Sequence, residues 1–351
     1  MRNFISSFFV LASLPVFTAL TIQERGKVGR SRLTEALRSP SGKLTLSPEV
    51  VIPEPSDPTA ILLLSSGVTS TSEMLRVEAK ANAAFVEGSL TALQTFCSEQ
   101  EQARGNFPGP IPVVYFGEAD DLAAVTEAGA EGLVIVTCGG KELTSLEDLT
   151  SETSWVEKSK AAMECGLQPI PEVFISDDTA QSWGEEDMEG LVSKVAELYG
   201  EDPVSILLTV NPVDEENPCE QVSLPKMAKA LGKRTPILGS VRAQAGENRI
   251  GQEVARLKEA GFTGALLRSD CMPGLRMKLD LDFVGAFWSA CIGDLKSLKS
   301  KNFNFQSRNW MDKSASLEWA KYQNSVIESG ALGDPESSVG LNTEAGDYKG
   351  F

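Results

Sequence analysis

Residues 121–136 read Asp-Leu-Ala-Ala-Val-Thr-Glu-Ala-Gly-Ala-Glu-Gly-Leu-Val-Ile-Val, an amphipathic helical pattern followed at once by an apolar run. Gly129 ends the helical pattern, because glycine readily adopts the left-handed conformation that closes a helix. Residues 257–272, Leu-Lys-Glu-Ala-Gly-Phe-Thr-Gly-Ala-Leu-Leu-Arg-Ser-Asp-Cys-Met, repeat this arrangement. Such short helix-to-strand connections are typical of parallel sheets whose strands alternate with helices.

The same alternation extends over residues 44–299. Strands are predicted at residues 44–52, 90–96, 111–116, 132–137, 170–175, 204–210, 236–240 and 264–267. Helices are predicted at residues 73–86, 120–128, 186–199, 224–231, 251–260 and 282–299. The range has a length close to the roughly 250 residues of a (β/α)8 TIM barrel. An open doubly wound sheet shows the same alternation and stays as the alternative.

The composition is that of a globular protein and excludes several kinds of chemistry. The chain has 351 residues, of which 42% are hydrophobic and 23% charged. Its lack of histidine excludes Ser-His-Asp and Cys-His nucleophile systems and imidazole metal sites. The net charge of −17 argues against a nucleic-acid partner or an anionic membrane surface, because both need a basic face.

The first 43 residues differ in charge from the rest and are predicted to be a leader. Arg2 precedes an apolar run at residues 4–14, which is the length of a signal-peptide core and too short for a membrane span. Residues 17–43 are basic and poor in acids, as in a transit peptide. This order resembles the two-part plastid leader of algae with complex plastids. A secreted protein with a basic pro-segment is the alternative.

The six cysteines are scattered singly through the chain, at Cys97, Cys138, Cys165, Cys219, Cys271 and Cys291. They form no C-x-x-C pair, and there is no histidine to complete a zinc site. We therefore expect free thiols in a reducing compartment, and neither a metal nor a cofactor.

Residues 47–56, Ser-Pro-Glu-Val-Val-Ile-Pro-Glu-Pro-Ser, resemble the first strand of the indole-3-glycerol-phosphate synthase family, Glu-Val-Lys-x-x-Ser-Pro-Ser. The helix and strand at residues 121–136 resemble that family's unit around Gly-Ala-Asp-Ala-Val-Leu-Leu. The resemblance implies a TIM barrel over residues 44–299, with its site at the carboxyl ends of the strands.

Several site positions match the family. Glu49 matches the acid of the first strand, and Glu172, in Ile-Pro-Glu-Val, matches the acid of the family's Leu-Val-Glu-Val segment. Asn211 matches the asparagine of Ile-Asn-Asn-Arg, and Ser240 matches the serine of Glu-Ser-Gly. The resemblance implies catalytic roles for Glu49, Glu172 and Asn211 and a ligand-binding role for Ser240.

Other positions have lost the family's chemistry. Lysines on the family's first and third strands act as general acid and charge partner, and here they are Val51 and Phe116. The glycine turns that present backbone N–H groups to the substrate phosphate are replaced by Arg242, Arg268 and Ser269. We therefore expect no synthesis of indole glycerol phosphate.

Arg242 and Arg268 follow neighbouring predicted strands and are candidates for ligand binding. Guanidinium groups hold phosphate or carboxylate well, so together with Ser240 and Ser269 they predict a site for a phosphorylated or carboxylated small molecule. The alternative is a network in which these arginines pair with Glu49 or Glu172 at the barrel mouth.

Residues 300–351 are predicted to be a C-terminal extension. Trp310, Trp319 and Tyr322 make it too apolar for a free tail, so we expect it to pack on the barrel or on a protein partner. Residues 58–72 are interpreted as an insertion relative to the family.

The sequence thus predicts a plastid TIM-barrel pseudoenzyme with a ligand-binding or assembly role. The alternative is an active carbon–carbon lyase in tryptophan biosynthesis that recruits Lys80, Lys141 or Lys233 from other loops.

Overall fold

Eight parallel strands form a closed barrel. The computed structural model describes residues 31–38, 43–54, 58–118, 120–211, 222–228, 231–242, 249–272 and 280–297. The strands pair in chain order, and the last pairs with the first, which closes the barrel. They are β1 (Thr45–Val51), β2 (Ala84–Glu87), β3 (Val113–Tyr115), β4 (Gly132–Val136), β5 (Gln168–Ser176), β6 (Ile206–Asn211), β7 (Ile237–Val241) and β8 (Gly264–Leu267). The predicted (β/α)8 barrel is confirmed, and the open sheet is excluded.

Helices surround the barrel between the strands. They are α1 (Arg32–Leu37), α2 (Pro58–Val77), α3 (Leu90–Gln102), α4 (Leu122–Glu127), α5 (Ser154–Glu164), α6 (Asp177–Ser182), α7 (Glu185–Tyr199), α8 (Leu231–Arg234), α9 (Arg249–Ala260) and α10 (Leu281–Ser297). As the sequence suggests, α4 ends at a left-handed glycine, Gly129, with a φ of +100°. No helix within these ranges is long and apolar enough to cross a membrane.

Side chains alternate between two apolar clusters along each strand, as the two-residue period of a strand requires. The outer cluster packs the strands against the helices. The inner cluster fills the lower part of the barrel and contains Leu33, Leu37, Ala83, Phe85, Val114, Val134, Ile170, Leu207, Leu238 and Leu266. The inward positions above this cluster, toward the carboxyl ends of the strands, carry polar and charged side chains. We call this end the mouth.

Helix α1 closes the opposite end of the barrel. Ser31 caps the helix by accepting the Thr34 N–H, and Leu33 and Leu37 are fully buried in the inner cluster. The carbonyl of Leu37 accepts from Thr45 Oγ1 at 3.4 Å, at the start of β1. Residues 31–38 are therefore part of the fold, although they lie inside the range 1–43 predicted as a leader. The rest of that leader, at residues 1–30, lies outside the described residues.

The prediction for the second strand is wrong. Residues 90–96, predicted as a strand, begin α3, and the strand lies at Ala84–Glu87, inside the predicted helix 73–86. Ser89 accepts the Ala92 N–H and starts α3, and the buried positions of this helix recur with helical spacing. The short strand lies between two helices rich in apolar residues, so its own pattern is weak.

Two further predictions on helices need correction. Residues 58–72, interpreted as an insertion, belong to the long helix α2, which packs on α3 and α10. Thr71 Oγ1 donates to the Leu281 carbonyl at 2.6 Å and joins α2 to α10. The helix predicted at residues 224–231 is absent from residues 222–228, and α8 begins at Leu231. The C-terminal extension, with Trp310, Trp319 and Tyr322, lies outside the described residues.

Candidate functional site

Arg268 lies between two buried carboxylates at the mouth. Its Nη1 lies 3.0 Å from Glu172 Oε1, and its Nε lies 3.3 Å from Glu49 Oε2. The side chain of Arg268 is 14% exposed and that of Glu172 only 1%. Charges this deep in a protein are tolerated only when they are paired, and within the described part of the chain Arg268 is the cation that pairs with both carboxylates.

Neighbouring groups fix both carboxylates and the guanidinium. Thr209 Oγ1, on β6, donates to Glu172 Oε1 at 2.8 Å. The backbone N–H of Ser269 donates to Glu49 Oε2 at 2.6 Å. The Arg268 guanidinium carbon lies 4.4 Å from the ring centroid of Phe116, within the range of a cation–π contact. Phe116 therefore covers the arginine that pairs with both acids.

The cation that contacts Glu49 and Glu172 is thus an arginine rather than a lysine. A guanidinium stays protonated at any physiological pH, so it stabilises charge but does not release a proton. Among the lysines named as alternatives, Lys80 follows α2 and lies at the amino ends of the strands, away from the mouth. Lys141 follows β4 and is exposed, and the Lys233 side chain lies outside the described part of the structure.

Arg242 and Asn211 form a second group at the mouth. Arg242 Nη1 donates to Asn211 Oδ1 at 3.3 Å, and Asn211 Nδ2 donates to Glu142 Oε1 at 2.9 Å. Burial lowers the pKa of Arg242, and the nearby charge of Arg268 lowers it further, while Glu172 opposes this shift. Arg242 forms no ion pair with a carboxylate among the described residues.

Four polar atoms in this part of the barrel are buried without a hydrogen-bond partner in the described structure: Arg242 Nε, Arg268 Nε, Ser240 Oγ and Ser47 Oγ. Ser47 on β1 and Ser240 on β7 both pair in register with Leu266 on the strand between them. The strands are staggered by about one residue per strand in these registers, so Ser240 lies level with Glu49 and Glu172, and Ser47 lies one layer deeper, level with Ile170 of the inner cluster. The same strand alternation places Arg242 one inward position above Ser240 on the chain.

Glu87, at the end of β2, is a mouth residue that the sequence did not reveal. Glu87 is partly exposed, and the partial desolvation of its carboxyl raises its pKa; the charge of Glu49 adds to the shift, whereas Arg268 opposes it. The sequence does not indicate it because the pattern at residues 84–87 predicts a helix, and a helix there has no strand end at the mouth. Glu142 was missed because it lies in the loop after β4, where no family motif points to an acid.

The structure thus brings Glu49, Glu172, Asn211, Ser240, Arg242, Arg268 and Ser269 to the mouth end of one barrel. Their catalytic and ligand-binding roles stay predictions. The described residues contain no group of cysteine, aspartate and glutamate side chains suited to a metal ion, and the cysteines among them, Cys97, Cys138, Cys165, Cys271 and Cys291, are free thiols.

Fold and site define a (β/α)8 barrel protein with a charged mouth. No protein-family model and no curated protein matches the chain. Its fold is similar to that of many solved structures. One is a mutant tryptophan synthase alpha-subunit of Pyrococcus furiosus, with 13% identity and a TM-score of 0.41, covering 72% of this chain and 98% of that one.

Two other solved structures show the same level of likeness. The phospho-2-dehydro-3-deoxyheptonate aldolase of Thermotoga maritima has 12% identity and a TM-score of 0.43, with 73% of this chain and 69% of that chain covered. The (S)-3-O-geranylgeranylglyceryl phosphate synthase of Thermoplasma acidophilum has 10% identity and a TM-score of 0.36, with 69% and 92% covered. At such identities the likeness concerns the barrel fold alone.

Proposed function

We propose that the protein is a ligand-binding TIM barrel whose mouth holds a small carboxylated or phosphorylated molecule through Arg242 and Ser240. The observation that carries this proposal is the pair of buried donors, Arg242 Nε and Ser240 Oγ, neither with an acceptor. Both lie on the inward face of the chain at the end of β7.

The energetics of burial favour an anion at this position. A buried donor without an acceptor costs about 1–3 kcal/mol, and more when it is charged. Arg242 also lies near the like charge of Arg268, which lowers its pKa. Carboxylate or phosphate oxygens accept from both donors and bring the charge that Arg242 lacks among its direct contacts.

Ligand binding is better supported than catalysis of the ring closure that indole-3-glycerol-phosphate synthases perform. Ring closure with loss of carbon dioxide and water needs a positioned general acid, and the family's lysine positions hold Val51 and Phe116. The cation beside Glu49 and Glu172 is a guanidinium, which does not release a proton. These features argue against the alternative, an active carbon–carbon lyase in tryptophan biosynthesis.

Thermal unfolding in the presence of simple anions tests the proposal. Inorganic phosphate and succinate are the probes, and the proteins are the wild type, R242Q and the exposed control R104Q. A ligand at about 100 times its dissociation constant adds about 2.7 kcal/mol to the free energy of unfolding. We expect at least one probe to raise the melting temperature of wild type and R104Q and to lose this effect in R242Q. An equal shift in R242Q, or no shift in wild type, would refute anion binding at this site.

We also propose plastid delivery through the leader and a protein contact through residues 300–351. A fluorescent protein fused behind residues 1–43 tests the first, and fluorescence in the medium rather than the plastid would favour the secreted alternative. Affinity capture with the full chain and with a variant ending at residue 299 tests the second. A partner retained equally by both would exclude the extension as the contact.

A further inference from the structure

We infer that residues 299–322 of this chain dock in an acidic groove at the end of the barrel where the strands begin. This end lies opposite the mouth, so the docking is independent of ligand binding there. It also leaves residues 323–351 for the proposed protein contact.

The groove runs along the amino ends of β3 to β6 and has a volume of about 1240 Å³. Its lining comes from the start of α1, the ends of neighbouring helices and the chain entering the strands, and it includes Ser31, Glu127, Met163, Gln168, Glu201 and Val204. Met163 and Val204 are partly exposed, so the groove offers apolar contact as well as charge. We call it the amino-end groove.

The amino-end groove has more negative charge than its own cations neutralise. Six acids line it against two arginines, and both arginines pair with acids of the groove. Asp202 pairs with Arg234 outside the lining. Within the described part of the chain, the exposed carboxylates of Glu127, Glu164 and Glu201 form no ion pair. Three acids are therefore open to a basic segment.

Phe107 lies beside this groove and is 98% exposed. It belongs to the loop between Arg104 and Val113, which both line the groove. The loop is held in place, because the Pro108 carbonyl accepts from Nη1 of the buried Arg76 at 3.0 Å. Aromatic rings carry large apolar surfaces and are enriched in contact surfaces. A phenylalanine fixed in water next to an acidic groove therefore favours a partner that is both aromatic and basic.

Residues 299–322 have this composition. They contain five basic residues against two acids, a net charge of +3 in a chain whose total is −17. Their aromatic residues are Phe303, Phe305, Trp310, Trp319 and Tyr322. Exposed ion pairs contribute little by themselves, so the rings supply most of the binding and the charges select the position. Residues 299–322 lie outside the described residues, and their sequence identifies them as the occupant.

The chain leaves the barrel at the same end as the groove. Helix α10 ends at Ser297, and Lys296 Nζ donates to the carbonyl of Lys80, near the amino end of β2. The groove begins at the next strand, β3, and neighbouring strands are about 5 Å apart. Residues 298–309 reach at most about 40 Å when extended, which brings Trp310 to any part of the groove.

Zero-length carbodiimide coupling of the full chain tests this inference, because it joins a lysine to a carboxylate only when the two are in contact. Mass spectrometry of the monomer then maps the products. We expect the lysines of residues 299–322 to couple to Glu127, Glu164 and Glu201. F107A should lower this coupling about threefold or more through the lost aromatic contact. L90A, at an exposed leucine of the mouth end, should match wild type.

A second pair of variants tests the charges, with coupling at Glu201 as the measurement. E127Q/E164Q removes two of the three unpaired acids and should lower coupling at Glu201 about twofold or more. E118Q/E147Q removes two exposed acids near the mouth and should leave coupling at Glu201 unchanged.

Several outcomes would overturn the docking. One is that the lysines of residues 299–322 couple only to acids outside the groove, or to none. Groove couplings confined to covalent dimers would make a second copy the occupant, and coupling of Lys27 instead would make the leader the occupant. Equal coupling in F107A and wild type would remove the aromatic contact from the account. Anion binding at the mouth is measured separately, so each of these results leaves the proposed function standing.

Discussion

Arg268 Nη1 donates to Glu172 Oε1 at 3.0 Å and so joins the end of β8 to β5 across the mouth of the barrel. Glu49 completes the group from β1. Because these side chains are almost fully buried, the guanidinium is part of the fold as well as of the site. This gives Arg268 a role that differs from that of Arg242, although the sequence presents them as a pair.

Removal of the Arg268 charge should destabilise the barrel. In R268M, two buried carboxylates keep their charge without a cation, and breaking a buried pair in this way typically costs about 3–5 kcal/mol. Urea unfolding measures the loss in the free energy of unfolding, and R104M is the exposed control. Adding E172Q to R268M should recover part of the loss, because it removes one of the stranded charges. A loss of less than about 1 kcal/mol in the free energy of unfolding would mean that water, rather than Arg268, stabilises the charges of the two carboxylates.

Glu87 should make the stability depend on pH in a defined direction. Burial and Glu49 raise its pKa, so the ionised form is less stable in the folded chain than in the unfolded one. The resulting loss of stability is absent well below pH 4.5, the ordinary value, grows as pH rises to the raised pKa and is constant above it. E87Q should therefore melt at a higher temperature than wild type at pH 8 and at nearly the same temperature at pH 4.

The control for Glu87 is E118Q, at an exposed position near the end of β3. It should follow the wild-type melting temperature at both pH values. A difference between E87Q and wild type that is the same at pH 4 and pH 8 would show that the effect does not come from ionisation of Glu87.

Helix α1 should contribute strongly to stability. Leu33 is fully buried in the inner cluster, and replacing such a leucine by alanine removes apolar contacts and leaves a cavity, at about 3–5 kcal/mol. L33A should therefore lower the urea midpoint strongly, whereas E35A, at an exposed position of the same helix, should change it little. Equal midpoints for L33A and E35A would mean that the barrel folds without this helix.

The purified protein should not perform the ring closure of the indole-3-glycerol-phosphate synthases that its sequence resembles. A positioned general acid contributes roughly 10²–10⁴-fold to the rate, and the two positions that the sequence resemblance matches to catalytic lysines are Val51 and Phe116. Turnover of carboxyphenylamino-deoxyribulose phosphate should stay at background in an assay where an active family enzyme serves as the positive control. A rate of roughly 1–10³ per second would restore the lyase alternative.

The barrel was predictable from sequence because its strands and helices repeat a strong pattern. Where both neighbours of a strand are clear, as for β4 and β8, the predicted bounds differ from the observed ones by at most one residue. The pattern failed at β2, where Ala84–Glu87 is too short to show alternation and the apolar residues of α3 look like a buried strand.

The positions of the site residues were predictable, but their partners were not. Strand ends place Glu49, Glu172 and Arg268 at one mouth, and the alternative of an Arg–Glu network follows from their charges. Sequence alone does not distinguish Arg268, which contacts both acids, from Arg242, which contacts Asn211. That difference depends on the barrel's side-chain packing, in which Phe116 covers one guanidinium.

A crystal structure of the protein, soaked in separate crystals with benzoate and with phenyl phosphate, tests anion binding at the mouth most directly. The account predicts density for an anion with one oxygen within about 3.2 Å of Arg242 Nε and another acceptor at the same distance from Ser240 Oγ. Crystals that show no anion at these donors, with Arg242 paired instead to a carboxylate of the chain, would contradict it.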